Sequence, residues 1–429
     1  MTRQSRFFYG WVIVGSSIAA MALVYGVRHT FGVFFSPILD EFGWSRGSTA
    51  LMLSLNILVY GLVAPIGGSL GDRWKPKRLM PIGVTILGLA TVGCAFAREL
   101  WHFYLLFGVV MPVGTAFCGW PLLAPILANW FSKRRGLAIG LGQMGGGFSF
   151  TYGIFAEFLI SQLGWRGAYL VIAAVLAVVV LPVYVFLIHY RPEDKGLKAY
   201  GTAEVPAASS LEPVVTVVKD LKPHDWTLGR AMKTHQLWLL VASDLLYWGI
   251  AGYLVMAHQV KFAVDIGYSS VLAASVLGLF GIFSAVGMLF GFLSDWLGRE
   301  VTFSLATFLS VGALVALLSV SDPTQAWLLY VFAICFGFGS GLCAPTIVAG
   351  TADLFHGRHF GAIAALLLTG VGIGGAIGPW LGGYIYDVTG SYVVAFFLCI
   401  GCCVLGCIAF WMAAPRNAAR LKAEGWGVL

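Results

Sequence analysis

The sequence GSLGDR at residues 68–73 follows the second long apolar run of this chain, and GFLSDWLGR at residues 291–299 follows the eighth. Both copies place an aspartate four residues after a glycine, with an arginine beyond it. Glycine lets two helices approach closely, and the acid can bond a neighbouring helix N-terminus or a loop arginine. Either copy alone reads as an ordinary turn, whereas two copies at matching positions indicate two equivalent halves. The motif residues expected to serve conformational change are Gly68, Asp72, Arg73, Gly291, Asp295 and Arg299.

The composition around this repeat is that of a protein embedded in a lipid bilayer. Apolar residues make up 59% of the chain and charged residues 10%, whereas soluble domains carry about 25% charged residues. A helix that crosses a bilayer needs about 20 apolar residues. We predict an all-α membrane protein whose twelve spans form two pseudo-symmetric six-helix bundles. The spans lie at 8–36, 47–71, 78–97, 100–130, 135–160, 166–189, 236–262, 269–294, 300–320, 325–352, 360–386 and 390–414.

Lysine and arginine residues gather on one side of these twelve spans. With the N-terminus in the cytoplasm, 21 of the 26 basic residues lie in inner loops and tails, four lie in outer loops, and Arg28 alone lies within a span. This asymmetry follows the positive-inside rule and predicts a multi-pass protein of a bacterial inner membrane with both termini cytoplasmic. Because the basic residues are spread over many loops, they do not indicate a surface for nucleic acid.

One long connection between spans six and seven divides the chain. Its middle, residues 201–218, is rich in Ala, Ser, Val and Pro, which is typical of a flexible linker. We therefore predict four segments in the order N-terminal bundle, cytoplasmic linker, C-terminal bundle and cytoplasmic tail. Their bounds are 1–190, 191–235, 236–414 and 415–429.

The twelve spans, the central loop and the two motif copies together resemble the major facilitator superfamily over the whole chain. The first copy departs slightly from the family pattern, because KP at 75–76 stands where a glycine is usual. Within the superfamily the chain is most similar to the monocarboxylate and oxalate–formate carrier branch. The motifs behind that likeness are GW at 10–11, NWFSKRRGLA at 129–138, RPEDKG at 191–196, GP at 378–379 and YDVTG at 386–390.

The resemblance implies a transporter that moves a small organic anion by alternating access. Related eukaryotic monocarboxylate carriers have a lysine in about the stretch of span one where Arg28 lies. The carriers commonly add a base in span eight, and the oxalate–formate type adds one in span eleven. Here span eight has no charge before Asp295, and span eleven has no Lys or Arg. A monoanion or a largely apolar acid therefore fits better than a dicarboxylate held by two bases.

Arg28 is the strongest candidate for binding such an anion. A base inside a bilayer costs about 2.5–3.5 kcal/mol on insertion scales, so such residues usually face a cavity. Guanidinium binds a carboxylate through two parallel hydrogen bonds; alternatively, Arg28 snorkels to the outer interface or bonds helix carbonyls. His29 either carries a proton or serves packing. Its side chain should point about 100° away from that of Arg28 around the helix, so we do not expect both to face the same spot.

Four uncharged residues are further candidates for contact with the substrate. Asn56 and Tyr60 lie one turn apart on span two, and Asn56 is expected at a depth similar to that of Arg28. There it either orients a carboxylate or makes an interhelical hydrogen bond. Trp120 in span four and Gln143 in span five are weaker candidates for the cavity wall.

Span seven holds an acid about eight residues from its cytoplasmic end, Asp244. A carboxyl in that setting can take up a proton, which suits proton coupling, or it can bond a neighbouring helix. Tyr247 and Trp248 follow one turn later. They either line the cavity floor or belong to the core.

Span eleven carries a ladder of glycines at four-residue intervals. Four-residue spacing puts the glycines on one face of a helix, where two backbones can touch. The ladder either packs statically or forms a smooth face on which the halves rock between inward-open and outward-open states. Its members are Gly370, Gly374, Gly378 and Gly382, and a bulky residue at Gly374 or Gly378 is expected to block transport.

These features predict a secondary transporter of a small monocarboxylate, moved together with a proton. Arg28 would bind the carboxylate, and Asp244 or His29 would carry the proton. No G-x-x-x-x-G-K-[ST] motif is present, so a nucleotide is not the expected energy source. We expect a monomer in the lipid bilayer, without enzymatic activity, cofactor or metal.

Two other classes of function compete with this prediction. An exporter of hydrophobic or cationic compounds on the same fold would need an acid at its centre, which would make Asp244 the key residue. A sensor or scaffold that does not transport is disfavoured, because no sizeable soluble domain is evident in the sequence.

Overall fold

The computed structural model describes residues 8–131, 135–200, 226–355 and 360–417. This part of the chain is almost entirely helical, and eleven helical stretches are long and apolar enough to cross a membrane. One of them, Ala138–Leu187, has 50 residues and bends at Gly164, whose φ of +70° favours glycine. Because one crossing needs about 20 residues, this stretch accounts for two. The predicted all-α fold with twelve crossings is confirmed.

We number the crossings α1 to α12 in chain order. Since their number is even, the first residues of α1 and the last of α12 lie on one side of the molecule, the terminal face; the opposite side is the far face. The first crossing extends beyond the predicted span of 8–36, because the helix continues to Phe42. The bounds are Gly10–Phe42, Arg46–Trp74, Pro76–Ala95, Leu100–Trp130, 135–163, 165–187, His235–Ile266, Ser270–Leu297, Arg299–Leu318, Ala326–Phe355, Phe360–Thr389 and Val393–Ala413.

Several of these helices are irregular near mid-membrane, among them the first, the fourth and the seventh. The first breaks at Thr30, whose hydroxyl donates to the Val27 carbonyl at 3.0 Å. The fourth breaks at Gly119, and the seventh widens into a π-helix over Leu245–Gly252. Irregular backbone is tolerated at this depth only where it is buried in protein or lines a cavity. The three irregular segments therefore mark the region in which to look for a site.

The buried apolar residues form two clusters, one for each half of the chain. The first is built from α1–α6, which we call the N-half, and the second from α7–α12, which we call the C-half. A few residues cross the junction: Val33 and Phe150 join the C-half cluster, and Ala257 joins the N-half cluster. Each half thus has its own core, and the halves meet along a limited seam.

The repeated motif packs similarly in both halves. In each half the second helix lies against the fourth near the motif. A Cβ on Gly67, one residue before the first copy, would lie 2.7 Å from the Ala116 carbonyl oxygen, and one on Gly291 would lie 2.6 Å from a ring carbon of Pro345. In the second copy Arg299 pairs with Asp295 at 2.5 Å, as expected for the motif acid, and Arg299 also contacts Asp353 at 2.9 Å. The side chains of Asp72 and Arg73 in the first copy lie outside the described residues.

The far face is closed by polar contacts between the halves. The Asp387 carboxylate accepts hydrogen bonds from the backbone N–H groups of Arg46 at 3.0 Å and Gly47 at 2.8 Å, at the start of α2. The Arg46 guanidinium pairs with Asp265 at 2.5 Å and donates to the Tyr392 hydroxyl at 2.9 Å. These bonds join α2 of the N-half to α7, α11 and α12 of the C-half.

The predicted glycine ladder of α11 lies against α7, within the C-half. A Cβ on Gly374 would lie 2.4 Å from the Leu245 carbonyl oxygen, and one on Gly378 would lie 2.5 Å from another α7 carbonyl. Gly372 and Gly375, on a different face of α11, contact α2 of the N-half. Of the two alternatives that the sequence left open, these contacts favour packing within the C-half over a face on which the two halves rock. The four-residue spacing identifies a smooth face but does not say which neighbour it meets.

Candidate functional site

A cavity of about 500 Å³ lies between the two halves. Its wall is formed by α1, α2, α4 and α5 of the N-half and by α7, α8 and α11 of the C-half. Pro65, near the terminal end of α2, and Leu368, near the terminal end of α11, both line the cavity and are both exposed. The cavity therefore opens toward the terminal face, while the Asp387 and Arg46 contacts close the far face.

Among the described residues, Arg28 is the only lysine, arginine, aspartate or glutamate in the wall of this cavity. Its side chain is buried, with 5% exposure, so it does not snorkel to an interface. Its Nε and Nη1 atoms have no hydrogen-bond partner, and no acid of the described chain pairs with it. A buried charge without a partner is costly. An anion that enters the cavity would remove that cost.

Two tyrosine rings flank the Arg28 guanidinium. Its Cζ atom lies 5.1 Å from the ring centroid of Tyr25 and 5.0 Å from that of Tyr60. The two hydroxyls are 2.6 Å apart, and the Trp120 backbone N–H donates to the Tyr25 hydroxyl at 3.1 Å. Because the hydroxyls share one bond, one of their two hydrogens has no acceptor among the described residues. That hydrogen is available to a ligand beside Arg28.

The sequence predicted Tyr60 and missed Tyr25. The missing signal was its position three residues before Arg28, which places both side chains on one helix face.

His29 is held in one orientation by three neighbours. Its Nδ1 lies 2.5 Å from the Ser149 hydroxyl, which donates to the Gly146 carbonyl, and its ring stacks on Phe150 with centroids 4.0 Å apart. Its Nε2 lies 3.4 Å from Nη2 of Arg28. A guanidinium only donates, so Nε2 is the acceptor and Nδ1 carries the hydrogen. In this arrangement the imidazole is neutral.

The expectation that Arg28 and His29 face different places is wrong. Both side chains line the cavity and contact each other. The reason is the length of the arginine side chain: the two residues leave the helix in different directions, but the Arg28 guanidinium extends far enough to reach the imidazole of His29.

Four more predicted residues lie in the cavity wall, and two unpartnered donors come from the C-half. Trp120, Gln143, Trp248 and the motif glycine Gly68 all contact the cavity. The indole N–H of Trp248 and the hydroxyl of Ser284 have no hydrogen-bond partner within the described chain. Ser284 was not among the residues predicted from the sequence. These two buried donors thus belong to residues of the C-half wall, whereas Arg28 belongs to the N-half wall.

Three predicted residues lie outside the cavity wall. The Asn56 amide donates to the Phe107 carbonyl at 2.6 Å, which is the interhelical bond that the sequence left open. The Tyr247 hydroxyl lies 2.6 Å from the Ser310 hydroxyl in the C-half core. Asp244 is 6% exposed, and its carboxylate makes no hydrogen bond to a described residue. The described residues also contain no cluster of His, Cys, Asp and Glu that could hold a metal ion.

A sequence profile described as Major Facilitator Superfamily matches residues 17–349 and again 291–427. The chain belongs to the major facilitator superfamily. It is 27% identical to monocarboxylate transporter 13 of Rattus norvegicus over 428 residues, which is 95% of this chain and 92% of that protein. It is 26% identical to monocarboxylate transporter 11 of Homo sapiens over 419 residues, or 95% and 83% of the two chains. This superfamily transporter therefore resembles the monocarboxylate branch, as its motifs predicted.

The fold of this superfamily member also matches a solved transporter. A bacterial homolog of the human lysosomal transporter Spinster, in an inward-facing and unoccupied conformation, superposes with a TM-score of 0.68 over 98% of both chains. The two sequences are 18% identical, so the likeness concerns the fold alone.

Proposed function

We propose that this protein is a secondary active transporter that moves a monocarboxylate together with a proton by alternating access. The observation that carries the proposal is Arg28, a buried guanidinium with unpartnered nitrogens in a cavity between the two halves. A carboxylate can take two parallel hydrogen bonds from that group. The left-over hydroxyl hydrogen of the Tyr25–Tyr60 pair would supply a further bond. The names of the related monocarboxylate transporters support the same class of substrate.

His29 is the better supported proton carrier. In this structure its Nε2 accepts a hydrogen bond from the Arg28 guanidinium, which occupies the lone pair that would bind a proton. A carboxylate on Arg28 would draw the guanidinium away and place a negative charge beside Nε2, which stabilises a proton there. The loaded site would then carry the same net charge as the empty one. Asp244, the alternative carrier, lies outside the cavity wall.

Alternating access would use the two halves as moving units. We propose that the segments 1–190 and 236–414 rock about the cavity, and that the linker at 191–235 joins them. The terminal face, with most of the basic residues, would be cytoplasmic in a bacterial inner membrane. The conformation described above would then be open to the cytoplasm. Opening to the other side would require the Asp387 and Arg46 contacts to break.

The alternative function, export of hydrophobic or cationic compounds, receives less support. A cation would need an acid in the cavity wall. The wall carries Arg28 instead, and Asp244 is not part of it. A cationic substrate would therefore meet a like charge and no counter-charge.

Uptake into proteoliposomes tests the proposed function. A panel of labelled carboxylic acids is offered with and without an inward proton gradient, and protein-free liposomes give the passive background. We expect saturable uptake that the gradient stimulates and that Arg28→Ala abolishes. Arg166→Ala is the matched control, because Arg166 is 41% exposed on the far face and pairs with Glu41. If no acid in the panel gives Arg28-dependent uptake, the proposal fails.

A further inference from the structure

We infer that the transported acid is an aryl monocarboxylate with a neutral oxygen on the part of the molecule remote from its carboxylate. This inference rests on the proposed function and names the chemical class of the substrate for the same cavity. Three properties of the wall carry it: the aromatic rings, the size of the cavity, and the donors contributed by the C-half.

The first property is the aromatic lining. Six aromatic residues line the cavity in addition to His29, and the ring centroids of two of them lie about 5 Å from Cζ of Arg28. Aromatic rings prefer offset-stacked or edge-to-face contact with other rings, beyond the gain from burying their area. A substrate ring next to the carboxylate would meet such partners on both sides of the cavity. The six residues are Tyr25, Tyr60, Trp120, Phe150, Trp248 and Tyr253.

The second property is volume. A cavity of about 500 Å³ has room for roughly 17 water molecules at about 30 Å³ each. An acid of three carbons would leave most of that space filled with water against apolar walls. Met21, Met256 and Met288 also line the cavity, and methionine sulfur makes favourable contacts with aromatic rings. A ring-sized body would replace the water with such contacts.

The third property is the placement of the unpartnered donors. Arg28 belongs to the N-half, whereas the indole N–H of Trp248 and the hydroxyl of Ser284 belong to the C-half. An indole N–H can only donate, so its ligand must offer an acceptor. That acceptor must be neutral, because the described residues of the C-half contribute no lysine or arginine to the wall. A hydroxyl or keto oxygen meets both conditions, and a ligand that carries it would bridge the two halves.

Binding to the purified full-length protein tests the inference without transport. Isothermal titration calorimetry compares four acids: propionate, 3-cyclohexylpropionate, 3-phenylpropionate and 3-(4-hydroxyphenyl)propionate. We expect the phenyl acid to bind at least about tenfold more tightly than propionate. It should bind about twofold to tenfold more tightly than the cyclohexyl acid, because only the phenyl ring stacks. The hydroxyl should add about twofold to tenfold more affinity through Trp248 or Ser284.

Two variants separate the parts of the inference. Trp248→Phe keeps a ring but removes the indole N–H, and Ser284→Ala removes the hydroxyl. We expect one or both to lower the affinity for the hydroxyphenyl acid more than the affinity for the phenyl acid, which erases the advantage of the hydroxyphenyl acid. If both variants leave that advantage intact, or lower the affinity for both acids equally, the inference that the substrate carries a neutral oxygen remote from its carboxylate is wrong.

The inference and the proposed function fail in different ways. If propionate binds as tightly as the aryl acids, and Arg28→Ala abolishes both, the aryl class is wrong but carboxylate recognition stands. If none of the four acids binds in a manner that depends on Arg28, the proposed function itself is contradicted.

Discussion

The two halves of this protein share one fold and one repeated motif, yet they line the cavity with different chemistry. The N-half contributes the charge and the titratable ring, Arg28 and His29, together with the linked tyrosine hydroxyls. The part of the C-half wall that the structure describes contains no charged residue, and the buried acid Asp244 lies outside the cavity. The two halves thus share their helix packing but differ in the side chains that they present to the cavity. We propose that the N-half recognises the anion and that the C-half covers it.

The largest expected effect distinguishes Arg28 in the N-half from Asp244 in the C-half. Removing one partner of a buried, hydrogen-bonded charge pair costs about 2–5 kcal/mol. Arg28→Ala removes the partner of the substrate carboxylate, so it should lower the uptake rate under an inward proton gradient by at least about thirtyfold. Arg28→Lys should fall between, because lysine keeps the charge but loses the two-pronged geometry. Asp244→Asn in the C-half should change substrate affinity less than twofold. Initial uptake rates measure all three, and a stronger loss in Asp244→Asn would reverse the assignment of roles to the halves.

The second prediction concerns the proton. A carrier that couples one proton to one anion accumulates the anion in proportion to the proton ratio, which is tenfold for a gradient of one pH unit. His29→Gln should reduce that accumulation to about one while exchange of internal for external anion continues. Parallel accumulation and exchange assays in proteoliposomes measure the difference. If His29→Gln still accumulates substrate tenfold and Asp244→Asn does not, the proton site belongs to the C-half.

The third prediction concerns the seam at the far face. Replacing a side chain that caps a helix N-terminus costs about 1 kcal/mol, or about a fivefold change in an equilibrium. Asp387→Ala should therefore favour opening of the far face. A cysteine at Ser54, whose hydroxyl accepts from the Trp380 N–H across the seam at 3.1 Å, should then react about fivefold faster with a thiol reagent that cannot cross the membrane.

The matched control for the seam is Glu41→Ala. This exposed acid lies on the same face but pairs with Arg166 inside the N-half, so its loss should not change the labelling rate. Equal acceleration by Glu41→Ala would mean that surface charge, and not the seam, sets the rate.

The smallest expected effect on transport comes from a pair of polar residues, one in each half. Asn56→Ala removes the bond to the Phe107 carbonyl, and Tyr247→Phe removes the bond to Ser310. A typical buried hydrogen bond contributes about 1 kcal/mol, so each variant should unfold a few degrees lower. Substrate affinity should change less than twofold in both. A large loss of substrate affinity with unchanged thermal stability would mean that the substituted residue contacts the substrate.

The fold was predictable because hydropathy and the positive-inside pattern are properties of whole segments. Arg28 was predictable for a similar reason, because a base in an apolar run needs an explanation wherever it points. The details of the site depend on helix rotation and on local breaks, which a single sequence does not specify. Tyr25 and Ser284 look like ordinary helix residues until their neighbours are known, and Asn56 looks functional until its bond to a backbone carbonyl is seen.

The bond that holds the far face together has an evolutionary consequence. Asp387 contacts backbone N–H groups of α2, which every residue type except proline provides. A substitution at position 46 can therefore remove the guanidinium contacts and leave this bond in place. Related sequences would need to keep only an acceptor at position 387 and small residues where the backbones meet, at Gly47 and Gly383. An alignment would therefore show no conserved residue type for the backbone donors of α2. Position 46 could vary among related sequences even though the contact between Asp387 and the α2 backbone is kept.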